Sequence, residues 1–208
     1  MNKYIPGRAD HIPEGKSGNY RIEKYEITKQ GADFHNLRCD MRGRFAMRVT
    51  PGIHTKLIEE GKALWMSDTN WERATNMYPV YMAYGVVLIN GLGLGLVAEA
   101  ILKDDEVTKV VINEISEDVI KLVAPYLPKD DRLTINCADA YTWHPNGLGF
   151  NTVWHDIWSY YNEIAYNQSK KLHYRYSHWL VDPHWQGSWA RADYLRERRR
   201  NNEGMYRL

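Results

Sequence analysis

The sequence predicts an α/β fold: a mostly parallel sheet with helices on both faces, shortened at its C-terminal end and preceded by a small β-rich N-terminal region. Three observations carry this expectation. Apolar runs of strand length recur through the middle of the chain, in "VVLIN", "KVVINEI", "RLTINCAD" and "NTVWHDIW". Stretches of helical composition separate the earlier ones at the spacing that βαβ units require. The first run ends in "GLGLGL", which places Gly91, Gly93 and Gly95 at alternate positions directly after a strand.

Taken in order, the first twenty residues are rich in Gly, Pro and charge and read as a loose arm. From Tyr20 to about Arg48 the text alternates between apolar and polar residues and is broken by turn formers, which predicts short strands joined as hairpins. A turn at Pro51-Gly52, a short helical or extended piece and a strand near Ala63–Met66 follow. Ser67 or Asp68 offers an N-cap for a helix with Glu72 in its first turn. Val86–Asn90 is the first strand of the parallel sheet and Leu94–Leu102 its helix. "KVVINEI" is the second strand, and Asp118–Leu127 is a helix whose last turn Pro125 disturbs. After the third and fourth strands, Tyr160–Trp179 reads as a long polar-aromatic helix. The remainder reads as a turn, a short basic helix and a tail, with no convincing fifth strand. The expected organisation is one composite domain: an N-terminal arm and hairpin region over 1–84, the core over 85–180 and a C-terminal turn, helix and tail over 181–208.

Composition narrows the function classes. A net charge of +1 creates no global field towards nucleic acid or membrane. The two cysteines, Cys39 and Cys137, lie far apart and fit no metal or redox spacing, so a reducing, cytoplasmic setting is the expectation. His144, His155, His173, His178 and His184 form no recognised ligand spacing, and no metal is expected. The N-terminus lacks an apolar signal core and no segment is apolar enough to span a bilayer. Trp (8) and Tyr (15) greatly outnumber Phe (3), a bias towards aromatics with a polar handle that suits both half-wet sites and a modest core.

In a Rossmann-like sheet, ligands bind beyond the carboxyl ends of the strands, where a glycine turn lets backbone approach them. The dinucleotide fingerprint needs Gly or Ala where this chain has Leu96, so a nicotinamide dinucleotide is disfavoured. Glu114 ends the second strand, roughly twenty residues beyond the glycines, where a carboxylate holds ribose hydroxyls. Asp139 follows the third strand, where it can accept a hydrogen bond from an exocyclic adenine amine. A strand-end Asp is common in turns; Gly, Glu and Asp on three successive strand ends are more specific than any one alone.

From about Gly61 to Trp158 the chain resembles the spermidine synthase branch of the class I S-adenosylmethionine-dependent methyltransferase superfamily. The segments that carry the resemblance are "GKALWMSDTNWE", "VVLINGLGLGL", "VTKVVINEISEDVI", "RLTINCADAYTW" and "FNTVWHDIW", in family order and spacing. The resemblance implies that Gly91, Gly93 and Gly95 lie against the amino-acid end of the cofactor, that Glu114 binds its ribose and that Asp139 lies near its adenine. It also implies that Asp156 faces the reacting centre. Leu92, Ile115 and Ala140 are the neighbours expected to line the same cofactor. The implied ligand is S-adenosylmethionine or a decarboxylated or demethylated relative. The chain departs from spermidine synthases at Leu94, where they usually carry Asp, and in the aromatic run "HDIWSYYN" after the fourth strand. Their acidic polyamine-binding positions are not recognisable. Methyl transfer is therefore favoured over aminopropyl transfer, and a non-catalytic S-adenosyl-binding protein is the remaining alternative.

Transfer from a sulfonium is an in-line displacement that depends chiefly on positioning. Asp156 and His155 are the candidate catalytic bases, with Asp156 favoured because neighbouring strand side chains alternate between faces. Trp154, Trp158 and Tyr160 are the candidate cage for the sulfonium or the acceptor, and Tyr161 lies beside them in sequence. "HWQGSWAR" reads either as a lid around Gly187 or as a surface turn. "RERRR" (Arg196–Arg200) could touch phosphates, but a helix C-terminus favours cations anyway, so nucleic acid is not the favoured partner. The expected acceptor is a small or unidentified molecule, and a shortened sheet with an open edge suggests self-association.

Overall fold

A computed structural model describes residues 6–44, 47–62 and 64–205. The first five residues of the expected arm, Phe45, Ala46, Ala63 at the start of an expected strand, and the last three residues of the expected tail lie outside the described residues. Two sheets form the fold. The first is antiparallel, in the order β1 (Gly15–Ser17), β2 (Tyr20–Ile27), β3 (Gly52–Glu59) and β4 (Leu64–Ser67), with helix α1 (Lys29–Met41) between β2 and β3. Short helices α2 (Asn70–Thr75) and α3 (Met77–Met82) lead into the second sheet. Its strands are β5 (Gly85–Asn90), β6 (Val107–Glu114), β7 (Leu133–Cys137), β8 (Phe150–His155) and β9 (Leu180–Ser188). They lie in the order β7-β6-β5-β8-β9 and every pairing is parallel. The strand order reverses between β5 and β8, which sets the topological switch point of a Rossmann-like sheet.

Helices α4 (Leu96–Ile101) and α5 (Glu117–Val123) bury one face of this sheet, together with Val87, Ile89, Val110, Ile112 and Trp154. Pro125 ends α5 in a 3-10 turn, Ala124–Tyr126, as its missing N–H predicts. Helix α6 (Glu163–Ser177) covers the other face with Leu172 and Tyr176 over Leu88, Val111 and Val153. The last helix, α7 (Arg191–Met205), packs on α6 and β9. The antiparallel sheet shares the first core through Ile22, Leu57 and Met66. Ser17 Oγ also donates to Asp118 Oδ1 of α5 (2.7 Å). It pairs with neither edge of the parallel sheet.

Three expectations are corrected. The arm is not loose over its described part: Asp68, fully buried, accepts from Ala9 N (3.1 Å) and Thr55 N (3.0 Å), while Lys24 Nζ donates to Ala9 O, Asp10 O and Thr55 Oγ1. Ile12 is fully buried as a result. The hairpin expected after β2 is instead helix α1, capped by Thr28 Oγ1, which accepts from Gly31 N (3.1 Å). Only Ala32 and Cys39 of this helix are buried, so exposed Phe34, Leu37 and Met41 produced the misleading alternation. Finally, β9 is a fifth parallel strand where a turn was expected. Pro183 and Gly187 disguise it. The ladder to β8 skips residues 181–184, so Pro183 costs no pairing, as an edge strand tolerates. The segment "HWQGS" is therefore neither lid nor surface turn.

A row of side-chain amides crosses all five strand ends on the α6 face. Asn136 Nδ2 donates to Asn113 Oδ1 (3.1 Å), Asn113 Nδ2 to Asn90 Oδ1 (3.0 Å), and Asn90 Nδ2 to His155 Nδ1 (2.8 Å). On the far side of the ring, His155 Nε2 lies 2.9 Å from the Gln186 amide of β9. Asn90 Nδ2 donates to Nδ1, so a neutral ring carries its proton on Nε2, the nitrogen that faces the Gln186 side chain. Tyr176 OH closes over the row, donating to Ala140 O (2.8 Å). Burial, and then the neighbouring His173, hold the His155 pKa well below the usual histidine value.

This arrangement has a pH signature. A histidine kept neutral in the fold binds its proton only when unfolded, so its contribution is intact above about pH 6.5 and stability is lost as pH falls below that value. Burial raises Asp156 and Glu72, which act in the opposite direction, but they cancel when two variants are compared. His155→Gln removes the histidine effect. The stability difference between wild type and this variant, measured by urea unfolding from pH 7.5 to 5, should therefore fall by about 1.4 kcal/mol per pH unit below pH 6.5. A pH-independent difference would show that His155 titrates normally.

Candidate functional site

The site forms at the switch point, where β5 and β8 end. Asp156 N donates to Asn90 O (2.8 Å) and Gly91 N to Asn113 O (2.8 Å), so the chain leaving β5 is clamped between its two neighbours. Gly91 has φ 102°, and a Cβ there would strike the Asp156 carbonyl. Gly93, at φ 53°, lies where a Cβ would come within 2.5 Å of Met66 Sδ. The turn is thus closed from one side by β8 and from the other by β4, and no larger residue fits. Gly95 caps α4 in the left-handed conformation and packs on Leu127.

Glu114 holds this turn in place. Its Oε2 accepts from Leu92 N (2.9 Å) and its Oε1 from Ser116 N (2.9 Å), linking the glycine turn to the start of α5. Burial raises its pKa, and the backbone N–H groups of Leu92, Ser116 and Ile115 partly offset the rise. Each oxygen retains a lone pair, so the carboxylate can still accept two hydroxyls. Asp139 Oδ1 accepts from Tyr141 N (2.8 Å), which leaves Oδ2 for a ligand.

Glu114, Ile115, Asp139, Ala140, Gly91 and Gly93 line one pocket of about 260 Å³, so the structure brings these sequence-predicted residues together. Tyr20 of β2 completes its wall. Ile115, directly after Glu114, is 69% exposed, an apolar side chain left uncovered at the pocket's edge.

Asp156 and the glycine turn separate this pocket from a smaller chamber of about 40 Å³. Glu72, Met66, Leu92, Trp154, Trp158 and Trp189 are among the side chains around it. Burial, and then the neighbouring Glu72, push Asp156 up to about 7, against the pull of the Trp154 indole. Glu72 is likewise pushed up to about 7 by burial, against the hydroxyl and backbone N–H of Ser67. The Ser67 hydroxyl lies 3.3 Å from Glu72 Oε2. Trp154 Nε1 is buried and acts on Asp156 from outside strict hydrogen-bond geometry. The chamber therefore offers two carboxyl groups that titrate near neutrality and three indoles.

Three predicted residues fall elsewhere. Gly95 caps α4 and packs on Leu127, lining neither pocket. His155 lies among the amides of the α6 face and lines neither pocket, because strand alternation sends it away from Asp156. Tyr160 is 74% exposed and lines neither, since the chain turns outward before α6. Trp154 and Trp158 do face the chamber, and Trp189, anchored by its Nε1 donating to Thr75 Oγ1 (3.1 Å), takes the place foreseen for Tyr160. The sequence reading missed Glu72 as a site residue, treating it only as a helix-start residue. It also missed the asparagines, although each stands at or one residue before a strand end, as "LIN", "VIN" or "TIN", a repeated signal. The Arg196–Arg200 run sits in the middle of α7 rather than at a helix C-terminus, with Arg196 paired to Asp193 and Arg198 to Glu163. Among the described residues no group of His, Cys, Asp and Glu has metal-binding geometry, and no helix is long and apolar enough to cross a membrane.

Neither a protein-family model nor a curated protein matches the chain. Among solved structures it is similar to the CcbJ methyltransferase from Streptomyces caelestis, at 14% identity over 55% of this chain and 49% of that one, with a TM-score of 0.45. It is also similar to spermidine synthase from Thermotoga maritima, at 20% identity over 77% of this chain and 52% of that one, with a TM-score of 0.44. A third is the N-methyltransferase NodS from Bradyrhizobium japonicum in complex with S-adenosyl-L-homocysteine, at 10% identity over 53% and 57%, with a TM-score of 0.43. The chain spans about half the length of these structures. At such identities and TM-scores the reading of the site rests on its own residues.

Proposed function

We propose that the chain is an S-adenosylmethionine-binding transferase, with methyl transfer as its reaction. The observation that carries this reading is the pocket at the switch point: one cavity joins the glycine turn, the ribose-position carboxylate Glu114, the free Asp139 oxygen and the uncovered Ile115. These groups fit an adenosyl ligand: two hydroxyls on Glu114, an exocyclic amine on Asp139 and a purine face against Ile115. The glycine turn and the chamber beyond it would take the amino-acid and sulfonium end, where Trp154, Trp158 and the carboxylates suit a cation. When bound, the cofactor supplies an electrophilic carbon on a positively charged sulfur. The chain's own contribution is to orient the acceptor, exclude water and receive the acceptor's proton on Asp156, whose pKa near neutrality suits a general base. Asp156 and Glu72 together also favour an amine acceptor, which keeps aminopropyl transfer from the decarboxylated cofactor as the second reading.

Thermal shift with S-adenosylhomocysteine tests the ligand. Stabilisation at millimolar ligand is expected. Glu114→Ala should abolish it, while Glu114→Gln, which keeps one acceptor oxygen, should retain part. No shift in the wild type would end the cofactor reading. Preference for the decarboxylated over the carboxylated cofactor would favour aminopropyl transfer.

The carboxyl pair gives a second test. Asp156 and Glu72 ionise near pH 7, and a bound cation stabilises their ionised forms. The affinity for S-adenosylmethionine relative to the uncharged homocysteine product should therefore rise severalfold between pH 6 and pH 8, as read by isothermal titration. A constant ratio would place the sulfonium away from both carboxylates.

A further inference from the structure

Behind Trp154 lies a third cavity of about 480 Å³, between α3, the end of β9 and the start of α7. Tyr78, Trp154 and Trp185 give it an aromatic side. Trp154 and Trp185 stack with centroids 5.9 Å apart and planes at 17°, and Tyr78 meets Trp185 edge-on at 5.4 Å. Gly187 makes the stack possible, since a Cβ there would strike the Trp185 ring and come within 3.1 Å of Trp154.

Most polar groups of this cavity are already committed. Ser188 Oγ bonds His173 Nε2 (2.8 Å), Gln186 bonds His155 (2.9 Å), and Asp193 pairs with Arg196 (2.5 Å). Arg191 is the exception. It makes no ion pair among the described residues, its Nε is buried without a hydrogen-bond partner, and its guanidinium rests only over the Tyr166 ring at 5.6 Å. A guanidinium that lines a cavity with no acid paired to it is matched best by a planar oxyanion. Arg196 also lines the cavity, but its charge is spent on Asp193, so Arg191 alone is left over, which favours a monoanion. Flat π walls favour a planar ring over an aliphatic chain.

We propose that this cavity binds a small planar aromatic carboxylate, its ring against Trp185 and Tyr78 and its carboxylate on Arg191. Trp154 is the wall it shares with the chamber of Asp156, and Asp156 itself does not line it.

Isothermal titration with benzoate, salicylate and anthranilate tests the proposal, with phenol and cyclohexanecarboxylate as controls. The aromatic acids should bind at least about tenfold more tightly than either control. Arg191→Gln should lower acid affinity about tenfold, leaving phenol and S-adenosylhomocysteine binding unchanged. Arg191→Lys, which keeps the charge but not the planar fork, serves if the glutamine variant does not fold, and should weaken the acids severalfold. Equal binding of acids and controls, or no effect of either variant on acid binding, would overturn the proposal. Homocysteine-product binding without acid binding would overturn it alone. Acid binding without any binding of that product would support this site while defeating the transferase reading.

Discussion

The contact between Gly91 and the Asp156 carbonyl is the constraint on which the site depends. It lets the ends of β5 and β8 approach until backbone meets backbone, where a side chain would hold them apart. That approach creates the crevice at the reversal of strand order, the place where open α/β sheets take ligands. It also sets Asp156 between the larger pocket and the small chamber, so one residue faces both. Met66 presses on Gly93 from the antiparallel sheet, which makes that sheet part of the site rather than an appendage.

The two faces of the parallel sheet have divided their polar chemistry. On the side of α6, amides and a neutral imidazole satisfy one another in a single direction, and a satisfied network of this kind favours one arrangement of strand ends. On the side of α4 and α5, buried polar atoms are left with capacity to spare: the remaining lone pairs of Glu114 and the carboxyl groups of Glu72 and Asp156. Spent groups hold the frame and unspent ones face the cavities. His155 and Asp156 are adjacent in sequence and belong to opposite halves of this division.

Much of the core was legible because parallel strands buried on both faces read as continuous apolar runs. Val86–Asn90, the run before Glu114 and the run before His155 announced themselves in that way, and the residues just beyond them marked the site. Alternation served less well where tertiary context overrode it. Phe34, Leu37 and Met41 mimic a strand because α1 leaves them in solvent. Pro183 and Gly187 disguise β9, whose skipped register absorbs the first and whose tryptophan stack requires the second. Glu72 was illegible as a site residue for a different reason. It enters the chamber from a helix distant in sequence from the strand ends, so only the packing of the N-terminal region reveals it.

The stacked indoles of Trp154 and Trp185 have a consequence of an optical kind. Two such rings, 5.9 Å apart and nearly parallel, couple their electronic transitions, and the coupling is set by their mutual angle and distance. The pair stands where the chamber of Asp156 meets the cavity of Arg191. The chain thus carries, without any label, a chromophore whose circular dichroism reports on the wall between its two inner compartments.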